Sequence, residues 1–183
     1  MKTFIKRMRN NYSYFPSEHI EPIQILENMN HPMIPKFISY DDESYTSEFI
    51  EGVSLGTYVR SSRDPAFGLR VIKDINNFMY NLSEYTKPFK AHWGIIDCQM
   101  SCDDIHEGNM LVTKDGRPYI IDFDQFGFFH QNDIFKLLQS ANMRLCDSIR
   151  SSLLIATSDS HLKMVKARDF RIKELEDRLL SLV

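Results

Sequence analysis

Residues 2–8 (KTFIKRM) read as a short strand, with Phe4 and Lys6 sharing a face at period two. A polar, aromatic-dotted stretch runs from Asn10 to Pro16, and Ser17 can then cap a helix. Pro22 restricts that helix, which either starts near the proline or kinks there. Ile23, Leu26 and Met29 fall on one helical stripe, and His31-Pro32-Met33-Ile34-Pro35 ends it. Lys36–Tyr40 and Tyr45–Ile50 read as two strands around the acidic turn Asp41–Ser44, with Glu51-Gly52 closing the second. A short helix follows over Leu55–Arg60. Asp64-Pro65 then opens a long amphipathic helix on which Leu69, Ile72, Ile75, Phe78 or Met79, and Leu82 recur, ending before Pro88.

From His92 to Ile121 the pattern breaks into short apolar runs (Trp93–Ile96, Met110–Val112, Tyr119–Ile121). Lys114-Asp115-Gly116-Arg117 joins the last two as a hairpin. Past Asp133 the chain is helical again, and Val165–Val183 forms a closing helix rich in charged pairs, packed on the domain or on another chain. Strands, a long helix, a hairpin and a helical end make an α+β order.

The 183 residues fit one domain, large enough to bury a core without a disulfide or metal staple. Lys and Arg number 22 against 25 acidic residues, so no bulk positive charge points to a nucleic-acid partner. Three cysteines (Cys98, Cys102, Cys146) are an odd number that suits a reducing compartment. Cys98 and Cys102 with His92 and His106 match no common zinc spacing and read as buried or partly exposed thiols. The first residues lack a signal-peptide apolar region, and no run approaches the roughly 18 apolar residues of a membrane span. A cytoplasmic protein with no membrane partner is the expectation.

The chemistry concentrates in Asp103-Asp104-Ile105-His106-Glu107-Gly108-Asn109 and in Asp122-Phe123-Asp124. Asn109 and Asp122 flank the hairpin and can converge at its open end. A carboxylate and an amide oxygen form a partial shell for Mg2+, which keeps water or phosphate in its other positions. Asp104, on the loop entering the hairpin, can accept a proton from an attacking hydroxyl or orient it. His106 reads as a structural residue of that loop.

Asp104-x-x-x-x-Asn109 followed thirteen positions on by Asp122-Phe123-Asp124 resembles the catalytic loop and D-F-G motif of the protein-kinase-like superfamily. D-I-H-E-G-N looks closest to the loop of aminoglycoside phosphotransferases and phage-type kinases, with Cys102 and Asp124 departing from the family's histidine and glycine. Upstream, Asn30–Lys36 resembles the segment after the C helix, and Ser47–Gly52 resembles the hinge. The resemblance implies that the Glu48 carbonyl and the Ile50 amide face an adenine. It makes Lys6, in Phe4-Ile5-Lys6, the lysine of the α- and β-phosphates, with Glu21 or else Glu18 as its ion-pair partner. Without the resemblance, Lys6 is a solvated lysine and Glu21 a helix-start acid.

The implied fold is a truncated bilobal kinase-like one, with a reduced N-lobe over residues 1–50 and a small helical C-lobe over 51–183. The catalytic hairpin occupies 104–124. Five residues precede Lys6, too few for a Gly-rich loop over the phosphates, and the stretch from Asp122 to Asn132 is too short for an activation loop. Asp133 becomes the helix aspartate that braces the catalytic loop. The implied activity is an ATP- and Mg2+-dependent phosphotransferase, foremost a minimal protein serine/threonine kinase. A small-molecule kinase and a pseudokinase that binds without transfer are the alternatives. A protein substrate and an activating partner that supplies the lid are the implied partners, in a host cytoplasm if the source is a phage or an effector.

Overall fold

The computed structural model describes residues 2–7, 20–41, 44–62, 64–86 and 98–180. It is an α+β fold in which the described residues form three small antiparallel sheets and four α-helices. In the first sheet, β1 (Thr3–Arg7) and β2 (Phe37–Tyr40) flank β3 (Ser44–Glu48). The two expected strands are therefore present, although β3 stops at Glu48 and not at Ile50. Its register with β2 slips at Ile38, because Phe37 faces Ser47 while Ser39 faces Thr46. The extra residue turns exposed Ile38 outward and keeps Phe37 buried.

Helix α1 (Ile20–Met29) starts two residues before Pro22, not at it. The proline sits in the first turn, where its missing N–H has no intrahelical partner to lose. Ile23, Ile25 and Leu26 bury one face, and Asn30 stops the helix in the left-handed region, with φ 45°. The following segment is pinned to the hairpin, since Ile120 N donates to the Met33 carbonyl at 2.9 Å.

Gly52 does not close the preceding strand. It opens β4 (Gly52–Ser54), which pairs with β6 (Met110–Thr113), itself paired with β7 (Pro118–Ile120). A Cβ at Gly52 would lie 2.7 Å from the Val112 carbonyl oxygen, so only glycine lets β4 reach β6. The β6–β7 turn is the predicted hairpin, with Gly116 at φ 81°.

A third sheet was not predicted: β5 (Cys98–Cys102) pairs with β8 (Phe126–His130). All five residues of β5 are buried, so its two faces show no alternation to read. Gln99 Oε1 accepts from Ser83 Oγ and Met100 N donates to Thr86 Oγ1, while the buried Ser101 Oγ has no hydrogen-bond partner among the described residues.

Helix α2 (Leu55–Ser62) leads into α3 (Pro65–Thr86), capped as expected by Asp64, whose Oδ1 accepts from Phe67 N at 3.0 Å. Val71, Ile75, Phe78 and Leu82 carry its buried face, whereas Leu69 is 61% exposed and not a core residue. Beyond α3, Pro88, His92 and the run Trp93–Ile96 lie outside the described residues, as do Ser17 and Glu18. The two expected terminal helices are one, α4 (Gln131–Leu180), 50 residues long and burying Ile134, Ala141, Leu145, Ile149 and Ala156. A single apolar core joins β2 and β3 to α3 and the hairpin. Among the described residues no helix is long and apolar enough to cross a membrane.

His31 stands at the seam of that core. Its ring packs on Phe78 at 4.8 Å and its Nδ1 accepts from Met33 N at 3.3 Å. Burial holds its pKa below the ordinary 6.5, against an opposing pull from Asp74. The unfolded chain therefore takes the proton first. This contribution to stability is complete above about pH 6.5 and declines as the pH falls toward the lower folded value. Thermal unfolding from pH 8 to 5 should show a drop in Tm that is shallower in His31→Phe; parallel curves would remove His31 as a source.

Candidate active site

The loop after β5 is shaped by local hydrogen bonds. His106 caps a 3-10 turn over Glu107–Asn109, its Nδ1 accepting from Gly108 N at 3.0 Å, as befits a structural residue. Asn109 Nδ2 donates to the Asp104 carbonyl at 3.1 Å and to Asp104 Oδ2 at 2.9 Å. Both contacts use the amide nitrogen, so the amide oxygen is the atom Asn109 has to offer a cation. Ile121 N donates to the Asn109 carbonyl at 3.0 Å, extending the hairpin ladder by one pair. That places Asp122 next to the residue facing Asn109, as the hairpin spacing predicts.

Asp133 does not brace this loop. It is exposed in the first turn of α4 and pairs with Lys136 at 2.9 Å on its own helix. The brace is Arg144, about three turns further on, whose Nη2 donates to the Asp103 carbonyl and whose Nη1 lies 3.9 Å from Asp104 Oδ1. His106 Nε2 stands 3.6 Å from the same carboxylate oxygen. Burial and the neighbouring Asp104 charge hold the Asp103 carboxyl above its usual range. Burial pushes the Cys102 thiol far up, so it is no nucleophile.

Lys6 reaches this region from the far end of the chain. Its Nζ lies 2.7 Å from Asp122 Oδ2 and 3.3 Å from Asp124 Oδ2. Burial alone would lower its pKa, but the bond to Asp122 and the charges of both aspartates outweigh that and raise it. The carboxylates holding Lys6 are thus Asp122 and Asp124, in the place expected of Glu21, which sits half-buried in the first turn of α1. Between the two aspartates, Phe123 is buried against Phe37, Tyr45 and Phe126, with ring centroids 5.2 to 5.6 Å away. Tyr45 faces Lys6 across the β1–β3 ladder, and its hydroxyl donates to the Ile121 carbonyl at 3.2 Å. Burial and the two carboxylates keep that phenol protonated.

Beside this cluster lies a cavity of about 390 Å³ lined by Phe4, Glu48, Phe49, Ile50, Leu111 and Ile121, a size that suits a small molecule. The predicted hinge residues therefore line a pocket together with the residue two before Lys6 and the residue before Asp122. No hydrogen bond to the Ile50 amide forms among the described residues. The Glu48 carbonyl accepts from its neighbour Ser47 Oγ at 3.3 Å, while its carboxylate holds Lys36 N at 2.9 Å. A larger hollow of about 670 Å³ between α3 and α4 contains none of the predicted site residues.

Three residues of the site were not assigned a role from the sequence: Tyr45, Asp124 and Arg144. Asp124 left a signal, because positions two apart on an extended segment share a side and Asp122 was already a candidate. Tyr45 and Arg144 act through tertiary placement and left none. Among the described residues no group of three His, Cys, Asp or Glu side chains is arranged to hold a metal alone. A cation is nonetheless welcome at Asp122, where the Lys6 ammonium already sits, and Mg2+ is commonly held by one or two carboxylates completed by phosphate oxygens. The donor set fits that ion. No family model matches the chain, and no curated protein matches it.

Tyr45→Phe keeps the aromatic packing but strands the Ile121 carbonyl. It should cost about 1–2 kcal/mol of stability in urea unfolding, and an unchanged midpoint would show that the hydroxyl holds nothing.

Proposed function

We propose that the protein is an ATP- and Mg2+-dependent phosphotransferase, a minimal kinase that transfers the γ-phosphate to a hydroxyl of a serine or threonine in a protein substrate. One observation carries the reading: Lys6 and Asp122, 116 residues apart, meet beside the linked pair Asp104–Asn109 and next to a pocket lined by Glu48 and Ile50. In this reading residues 1–50 are a reduced N-lobe and 51–183 a C-lobe. The three free thiols favour a cytoplasmic setting.

Asp104 acts on the acceptor. Asn109 holds its Oδ2, and its Oδ1, which faces His106 Nε2 at 3.6 Å and Arg144 Nη1 at 3.9 Å, is the oxygen that orients the hydroxyl and takes its proton. The Asp104 side chain is 41% exposed, open enough for a hydroxyl carried on another protein. Lys6 exchanges Asp122 for phosphate oxygens when nucleotide enters, and the Ile50 amide and Glu48 carbonyl meet the base. Asp122 and the Asn109 amide oxygen would hold Mg2+, which supplies neutralisation of phosphate charge. A nucleotide-holding module without transfer is the second reading, favoured by the ammonium already seated between two carboxylates.

Incubation with γ-labelled ATP and Mg2+, alone and with host lysate, separates the two readings. Asp122→Asn should abolish transfer and weaken Mg2+-nucleotide binding while the fold survives. Asp104→Ala should lower turnover by roughly 10²–10⁴ with little change in nucleotide affinity. Wild-type turnover in Asp122→Asn would sink the kinase reading, and an equal loss of affinity in Asp104→Ala would move that residue to the metal.

Residues 1–51 contain no glycine, so they hold no Gly-rich loop of the kind that cradles phosphates, and in this reading the phosphates rest on Lys6 and the cation. Calorimetric titration of ATP should give weak binding, on the order of 0.1–1 mM, with a steep Mg2+ dependence. Metal-independent micromolar binding would reveal another phosphate cradle. Activity that appears only with an added protein would identify a partner that supplies the lid.

A further inference from the structure

We propose that Asp124 is the residue that positions Lys6 for the nucleotide phosphates, the task that the kinase resemblance gives to Glu21. The proposal rests on the phosphotransferase reading. There, Asp122 belongs to the cation, which competes with the Lys6 ammonium for its oxygens. Lys6 has a second carboxylate within reach, Asp124 Oδ2 at 3.3 Å.

The surroundings suit Asp124 to that task. Its side chain is 7% exposed against 29% for Asp122, so the outer carboxylate meets what enters and the inner one stays with the lysine. Charge-assisted contacts strengthen as water is excluded. The inner carboxylate is also fixed in place. Phe123 is locked in the aromatic core, Asp124 N donates to Asp122 Oδ1 at 3.4 Å, and Phe126 N closes the turn on the Phe123 carbonyl at 3.2 Å. From the other side, Tyr45 ties the β1–β3 ladder that carries Lys6 to the Ile121 carbonyl. Lys6 and Asp124 are thus mounted on two pieces of backbone bolted together through Tyr45 and the aromatic core. A glycine at position 124, as in the D-F-G pattern, would leave Lys6 to find its anchor elsewhere.

The test compares Mg2+-ADP and adenosine binding by calorimetry on the full chain, in wild type, Asp124→Asn, Asp124→Glu and Glu21→Gln. Loss of the anchor should weaken Mg2+-ADP by about tenfold or more in Asp124→Asn, with adenosine unchanged because it has no phosphate for Lys6. Asp124→Glu, which keeps the charge, should recover part of the loss. Equal losses for ADP and adenosine would make Asp124 a structural residue and overturn the proposal, as would a larger ADP loss in Glu21→Gln than in Asp124→Asn. Wild-type protein that binds neither ligand would overturn the phosphotransferase reading itself and the proposal with it. Wild-type binding with an unaffected Asp124→Asn overturns the proposal alone.

Discussion

Burial of Phe123 is the constraint on which the rest of the site depends. Its ring lies in a cluster with Phe37, Tyr45 and Phe126, which come from two different sheets. An aromatic side chain buried this fully contributes both apolar area and specific ring contacts. The backbone on either side has no freedom to choose where its side chains go. Two carboxylates two positions apart are therefore presented together, and they draw Lys6 in from β1. The charged site is a by-product of apolar packing, and its alignment follows from where one phenylalanine fits.

The pocket and the charged cluster are coupled by shared backbone. Glu48 ends β3, Gly52 begins β4, and β4 is laddered directly to β6, two residues after Asn109. The segment between them lines the cavity. A displacement of the segment 48–52 therefore drags the hairpin that carries Asn109, and the same hairpin is tied back to the residues after α1 through Ile120 and Met33. Such closed loops of hydrogen bonds favour a preformed site over one assembled on binding.

Much of this was legible in the sequence where a local rule decided the outcome. The Asp64-Pro65 helix start, the Gly116 turn and the placement of Asn109 near Asp122 follow from capping, from φ > 0 and from ladder geometry. What was not legible depended on burial by other parts of the chain. CQMSC has no alternation because both its faces are covered, so β5 gave no period to detect. Leu69 fits the helical stripe but faces solvent, because the stripe centred on Val71, Ile75 and Phe78 packs instead. Asp133 sat at a plausible distance from the loop in sequence, yet α4 begins at Gln131 and its rotation delivers Arg144 there. The partner of Lys6 was sought on the nearest helix, while the fold supplied it from more than a hundred residues away.

That separation sets an order of events during synthesis. Lys6 leaves the ribosome 116 residues ahead of Asp122, a delay of roughly 6–23 s at ordinary elongation rates of about 5–20 residues per second. Once β3 has emerged, β1 can pair with it, but its lysine faces water. Closing so long a loop is entropically costly for an ion pair acting alone, so the Lys6 contact cannot nucleate the fold. It forms when the aromatic cluster has already condensed around Phe123. The charged cluster thus cannot exist before residues 122–124 have emerged, and any nascent or truncated chain ending before Asp122 carries the segment 48–52 of the pocket without the carboxylates beside it.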